Sequence, residues 1–141
     1  LWFWYSNELA GIENKKQKEE YAYFQAVKIL QKRVDSKGKA FGLFKASSII
    51  SITCSKLLED NTDLDYIVVI NTWDGFQKIS VRAREGSNFN VTDLKYCDGH
   101  VLAGGGQLPT EDYAIAFYNG FIVSLPYKDE DDSELVKAYS E

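Results

Sequence analysis

Apolar residues fall mainly on one side of a helical wheel from Glu8 to about Val34. Leu9, Ile12, Tyr21, Phe24, Val27, Ile29, Leu30 and Val34 are separated by Lys and Glu. This spacing predicts one long helix, with Asn7 as its N-cap. Asp35-Ser36-Lys37-Gly38-Lys39 then breaks the pattern. Ala40 to Lys45 reads as a short strand. A second helix is expected from a cap at Ser47 or Ser48 to about Glu59, with Ile49, Ile50, Ile52, Thr53, Leu57 and Leu58 inward. After a loop at Asp60–Asp63, Tyr66-Ile67-Val68-Val69-Ile70 reads as a strand buried on both faces. Asp74-Gly75 is a hairpin signal. The returning strand, Lys78 to Arg84, alternates, with Ile79 and Val81 on one face and Ser80, Arg82 and Arg84 on the other.

Gly86 to Asn90 is a loop, and Thr92 to Tyr96 starts a short helix that leads into a glycine stretch. Pro109-Thr110-Glu111-Asp112 is a helix start, with proline upstream and acids in the first turn. Tyr113 to Tyr118 follows as a helix. A competing pattern pairs Tyr113–Phe117 with Phe121–Leu125 as a hairpin about Asn119-Gly120. Ser133 to Tyr139 is a terminal helix. The order defines an α/β fold: a small mixed β-sheet flanked by helices, with a glycine-rich loop, preceded by a long N-terminal helix. We divide the chain into a linker and helix at 1–38 and a domain at 39–141.

The 141 residues, 45% apolar and 26% charged, fit one ordinary globular domain. No apolar run approaches the roughly 20 residues that span a bilayer, and Leu1-Trp2-Phe3-Trp4-Tyr5 is too short for a leader core. The expected location is the cytoplasm, with Cys54 and Cys97 as reduced thiols. The opening residue is not methionine, and the aromatic cluster Trp2–Tyr5 would be costly to leave wet. Both suggest a piece of a longer protein, whose aromatics fold back or pack on another part. The net charge of −5 argues against a long duplex nucleic acid. From Lys128 to Glu141, however, six acids face two lysines. The rest is near neutral and can hold a small phosphate ligand.

Candidate chemistry centres on Asp98-Gly99-His100-Val101-Leu102-Ala103-Gly104-Gly105-Gly106. It holds the only histidine, within the densest glycine cluster. Glycine loops can turn backbone amides toward an anion. Arg82 adds a permanent fork-shaped cation, and an imidazole protonates readily beside an anion. The plainer reading is a surface turn with an incidental histidine, and an Arg82 that pairs with Glu85. Trp73 and Phe76 could stack on a base or simply pack the hairpin. Lys15, Lys16 and Lys18 could steer an anion or form a solvated helix face. Cys97 has no base to make it a nucleophile.

Two motifs in order carry a resemblance. Ile79-Ser80-Val81-Arg82-Ala83 is similar to a strand reading I-S-x-R-S. Cys97-Asp98-Gly99-His100-Val101-Leu102-Ala103-Gly104-Gly105 is similar to G-G-G-H-x-x-A-A-G. Together, over roughly Ala40 to Gly106, the chain resembles the DHH-associated C-terminal, substrate-binding domain of DHH-family phosphoesterases. The resemblance implies a missing N-terminal DHH domain that binds two divalent ions, Mn²⁺ or Mg²⁺, and hydrolyses phosphodiesters in short oligonucleotides, cyclic dinucleotides or single-stranded DNA. No D-H-H occurs here, and one histidine cannot supply a two-metal site, so this piece is expected to bind rather than catalyse. The implied substrate-binding residues are Arg82, Gly99, His100, Ala103, Gly104 and Gly105. Cys97 and Asp98 replace two glycines, Ala83 replaces a serine, and the Asp98 carboxylate should repel phosphate.

The alternative is a non-enzymatic interaction module in which the glycines are structural and Trp2–Tyr5 with the first helix forms a homodimer interface. A third reading is an appended domain of the kind found in tRNA synthetases, against which the net acidity argues.

Overall fold

The computed structural model describes residues 2–73 and 75–140, with side chains from Lys15 onward. The aromatic cluster Trp2–Tyr5, the Asn7 cap and Asp74 therefore lie outside the described side chains. The fold is α/β. Its elements are α1 (Trp2–Ile29), β1 (Gln31–Val34), β2 (Ala40–Ala46), α2 (Ile50–Asp60), β3 (Tyr66–Asn71), β4 (Lys78–Ala83), one 3-10 turn (Val91–Asp93), β5 (Cys97–Gly99), β6 (Ala103–Gln107), α3 (Glu111–Tyr118) and α4 (Ser133–Ala138). The strands form one mixed sheet in the order β1-β2-β3-β4-β6-β5. Only β2 and β3 are parallel, joined through α2; the other neighbours are antiparallel.

Apolar residues cover both faces of the sheet's centre. Phe41, Leu43, Tyr66, Val68, Ile70, Ile79 and Val81 join Tyr113, Phe117, Leu125 and Tyr127 on the α3 side. Phe44, Ile67 and Val69 meet Ala26, Cys54, Leu57 and Leu58 of α1 and α2 on the other. This double burial is why the Tyr66–Ile70 run lacks alternation.

Before the glycine stretch, three elements depart from the sequence pattern. The first helix ends at Ile29, and Gln31–Val34 is a strand paired antiparallel with β2. The strand is fixed by distant partners. Arg33 Nη1 donates to Phe117 O at 2.6 Å and Nη2 to Tyr118 O at 2.9 Å, and Gln31 Nε2 donates to Tyr118 O at 3.1 Å. The Asp35 carboxylate closes the turn by accepting from the Lys37 and Lys39 amides. Such tertiary contacts override local helix propensity. The second departure is the start of α2. Neither Ser47 nor Ser48 caps it; Ile49 does, in the left-handed region at φ 57°, with no side-chain cap bond. Ile52, expected inward, is exposed. Thirdly, the expected helix at Thr92–Tyr96 is only the single 3-10 turn, with Tyr96 at φ 78°.

From Pro109 onward the chain follows the pattern closely. Thr110 caps α3 by accepting from the Tyr113 amide at 3.0 Å, so the helix forms and the competing hairpin does not. Two buried carboxylates tie this region down. Asp35 accepts from Tyr66 and Tyr127 hydroxyls at 2.8 and 2.6 Å. Asp132 accepts from Lys95 Nζ, Tyr96 and Tyr113 at 2.6, 2.6 and 3.0 Å. Burial alone would push the Asp132 carboxyl up, but these three donors outweigh it and hold it below the usual carboxylate range.

Candidate functional site

The glycine stretch is not a loop. Cys97–Gly99 and Ala103–Gln107 pair as an antiparallel hairpin, and β6 lies between β4 and β5. Gly104 is in register with Val81 and Gly99, and Gly105 with Ser80 and Asp98. Their amides therefore belong to ladders on either side, and no cradle of free loop amides is built. Glycine is required here by close approach: a Cβ on Gly106 would collide with the Tyr96 carbonyl. Gly99, at φ 129°, prepares the turn.

His100 and Ala103 close that turn. The His100 amide donates to Ala103 O at 2.8 Å, and the Ala103 amide to His100 O at 3.3 Å. Val101 and Leu102 form the exposed tip, and the imidazole is solvent-accessible. Ala103 is also the cross-strand partner of Arg82. A single residue thus bridges the two predicted cation-bearing positions through the backbone.

On β4, Arg82 shares its face with Ser80 and Lys78, opposite the buried Ile79 and Val81. Its guanidinium does not pair with Glu85. Nη1 donates to Val81 O at 3.0 Å and Gly104 O at 3.2 Å, and Nη2 to Ser51 Oγ at 3.2 Å on the first turn of α2. The glycine strand thus meets the arginine through a carbonyl. Helix α2 reaches as far as β4; beyond it, among the described residues, no helix packs extensively on β6 or β5 on this side. Ser80, Arg82, Ala103 and Gly105 are half-exposed there, on an open shelf of small residues beside one cation.

Arg84 has a different role. Its Nε donates to Leu64 O at 2.9 Å and Nη2 to Leu58 O and Asn61 O at 2.5 and 2.8 Å, so it terminates α2. Trp73 is 82% exposed, while Phe76 packs on the core. Lys15, Lys16 and Lys18 are exposed. Asp98 is close to Lys128, Oδ1 to Nζ 3.7 Å, so its charge is partly countered. Both cysteines are free and buried. Burial pushes the Cys97 thiol up to about 12, with Asp98 adding to it, and burial does the same for Cys54 against the lowering effect of Arg82. Neither is poised as a thiolate. Among the described residues no group of three or more His, Cys, Asp or Glu side chains could hold a metal ion. No described helix is long and apolar enough to cross a membrane. Ser51 is the site residue that sequence reasoning missed. Its signal is the strand–helix–strand order, which seats the start of α2 beside the neighbouring strand.

No family model matches this chain, and no curated protein does. Solved structures do. One, described as the DHH domain of a member of a family of ribosomal proteins, matches with TM-score 0.52 and 16% identity over 83% of this chain and 33% of that one. Another, an uncharacterized protein from Helicobacter pylori G27, has TM-score 0.48 and 21% identity over 64% of this chain and 25% of that one. The chain spans at most a third of either. The first likeness establishes an α/β fold similar to part of a DHH-domain protein.

Proposed function

We propose that this chain is a substrate-binding domain that holds the phosphate of a nucleotide or short oligonucleotide for a DHH-type phosphoesterase domain carried elsewhere. The observation that carries the reading is the link from Arg82 through Ala103 to the His100 turn, at the margin of the sheet face that α2 partly covers. Arg82 supplies a fixed guanidinium and His100 an exposed imidazole, both suited to phosphate oxygens. Gly105 contributes by keeping the shelf flat and low, while Gly99 and Gly104 allow the close backbone approach on the opposite face that shapes the hairpin. In this reading the metal ions and the hydrolytic chemistry belong to the DHH domain.

Calorimetric titration with adenosine monophosphate and a phosphorylated diadenylate tests it. Binding is expected, and His100→Ala and Arg82→Ala should each weaken it by about tenfold, the worth of one charge-assisted hydrogen bond. Absence of heat with both ligands, or affinity unchanged in both variants, would overturn the reading.

A second reading, an oligomerisation module, is favoured by α1. Tyr21, Phe24 and Val27 stand 66%, 56% and 49% exposed at helical spacing, a stripe of the kind that marks interfaces. Light scattering decides it: a concentration-dependent dimer lost in Phe24→Glu would support self-association, and a monomer at all concentrations would refute it.

A further inference from the structure

We infer that Ser51 is a positioning residue for phosphate, acting through Arg82; the inference rests on the substrate-binding reading above. An arginine has five N–H donors in a rigid plane. Both Nη1 hydrogens of Arg82 are engaged, by Val81 O and Gly104 O. One Nη2 hydrogen goes to Ser51 Oγ. The Nε–H and the second Nη2–H take no part in these bonds. Ser51 is assigned to the outer Nη2 hydrogen, which leaves the remaining two on one edge of the plane. That edge is the fork that receives two oxygens of one phosphate side by side.

The two carbonyls lie on β4 and β6, so they pin Nη1 to the sheet. They do not fix which way the rest of the plane tilts about that anchor. Ser51 does, because it approaches from α2, an element outside the ladder. Its hydroxyl oxygen is uncharged and accepts from the arginine, so it orients the cation without neutralising it. A carboxylate at this position would occupy the fork. Arg84, two residues on, shows the opposite outcome: its donors go to three carbonyls at the far end of the same helix. The phosphate is thus met by an arginine held at both ends of one nitrogen pair and open along one edge.

The test is an amide-shift NMR titration of the whole chain with adenosine monophosphate and, separately, inorganic phosphate, which reads affinities into the millimolar range. Ser51→Ala should weaken binding about threefold to tenfold, the ratio one net hydrogen bond is worth, with the melting temperature unchanged. Ser51→Thr, which keeps the hydroxyl, should restore it. In an Arg82→Lys background, Ser51→Ala should have no further effect, because a lysine offers no plane to orient. Wild-type affinity in Ser51→Ala, or an equal loss in both backgrounds, would overturn the positioning role and leave the substrate-binding reading standing. No response of the wild-type chain to either probe would remove both.

Discussion

On the α1–α2 side of the sheet, β2 and β3 present Phe44, Ile67 and Val69 to helices, whereas β4 and β6 present Ser80, Arg82, Ala103 and Gly105 to no helix beyond α2. The covered half is stabilised by burial, at about 1.5–3 kcal/mol for each large side chain. The uncovered half has nothing to bury, so it is built from side chains too small to leave an apolar patch. The two arginines of this face mark the border. Arg84 is fully engaged at the end of α2, while Arg82 is tied at its two Nη nitrogens and open along one edge. A surface kept flat, wet and cationic at the margin of a rigid core is how a fold offers a binding site without loosening itself.

The sharpest way to break this contrast is Gly105→Ala. If the uncovered half depends on backbone approach, the added Cβ, forced against the Ile79 carbonyl, should cost about 3 kcal/mol, read as a lower urea midpoint. A variant as stable as wild type would show that the glycines are dispensable to the fold. Next, Arg84→Ala should cost about 2–3 kcal/mol by stripping carbonyls at the end of α2 and leave phosphate affinity alone. Arg82→Ala should do the reverse, with little loss of stability and a large loss of binding. Equal effects of the two on both measurements would erase the border drawn here.

The third prediction concerns the opposite face. The Asp132 carboxyl is held below its ordinary value, so its contribution is present above the unfolded aspartate pKa of about 3.9. It is lost as pH falls through the lower folded value. Asp132→Asn should therefore lower stability by about 1–2 kcal/mol at neutral pH and flatten the acid limb of a pH–stability profile. An acid limb identical to wild type would assign acid sensitivity to other carboxylates. The smallest effect belongs to Asp98, 3.7 Å from Lys128 on the surface. Asp98→Asn should tighten phosphate binding by about twofold, within the 0–1 kcal/mol scale of exposed charges. Weaker binding in that variant would mean that the carboxylate orders the turn rather than repelling the ligand.

The sequence made plain whatever local periodicity decides. β3 and β4 fall where their β-branched runs and alternation place them, and α3 begins at its Thr110 cap. What it hid depends on partners far along the chain. Gln31–Val34 continued a helical pattern, yet Arg33 finds the last carbonyls of α3 more than eighty residues away, and a strand results. The glycine stretch read as a loop because glycine is poor in strands. No local window shows that Asp98, Ile79 and Tyr96 backbone atoms crowd where side chains would stand. Arg82 and His100 were legible as residues through their motifs. Ser51 was not, because only the seating of α2 on the sheet brings its hydroxyl to Arg82.

The bond from Tyr127 to Asp35 sets an order of events during synthesis. The β1–β2 turn is made early, but one of the two hydroxyls that satisfy its carboxylate arrives ninety-two residues later. A nascent chain halted before Tyr127 would hold a buried acid short of a donor, so the sheet's first edge cannot settle until Tyr127 has left the ribosome. Ribosome-arrested chains released just before and just after Tyr127 should differ abruptly in protease resistance, at the first hairpin as well as at the tail.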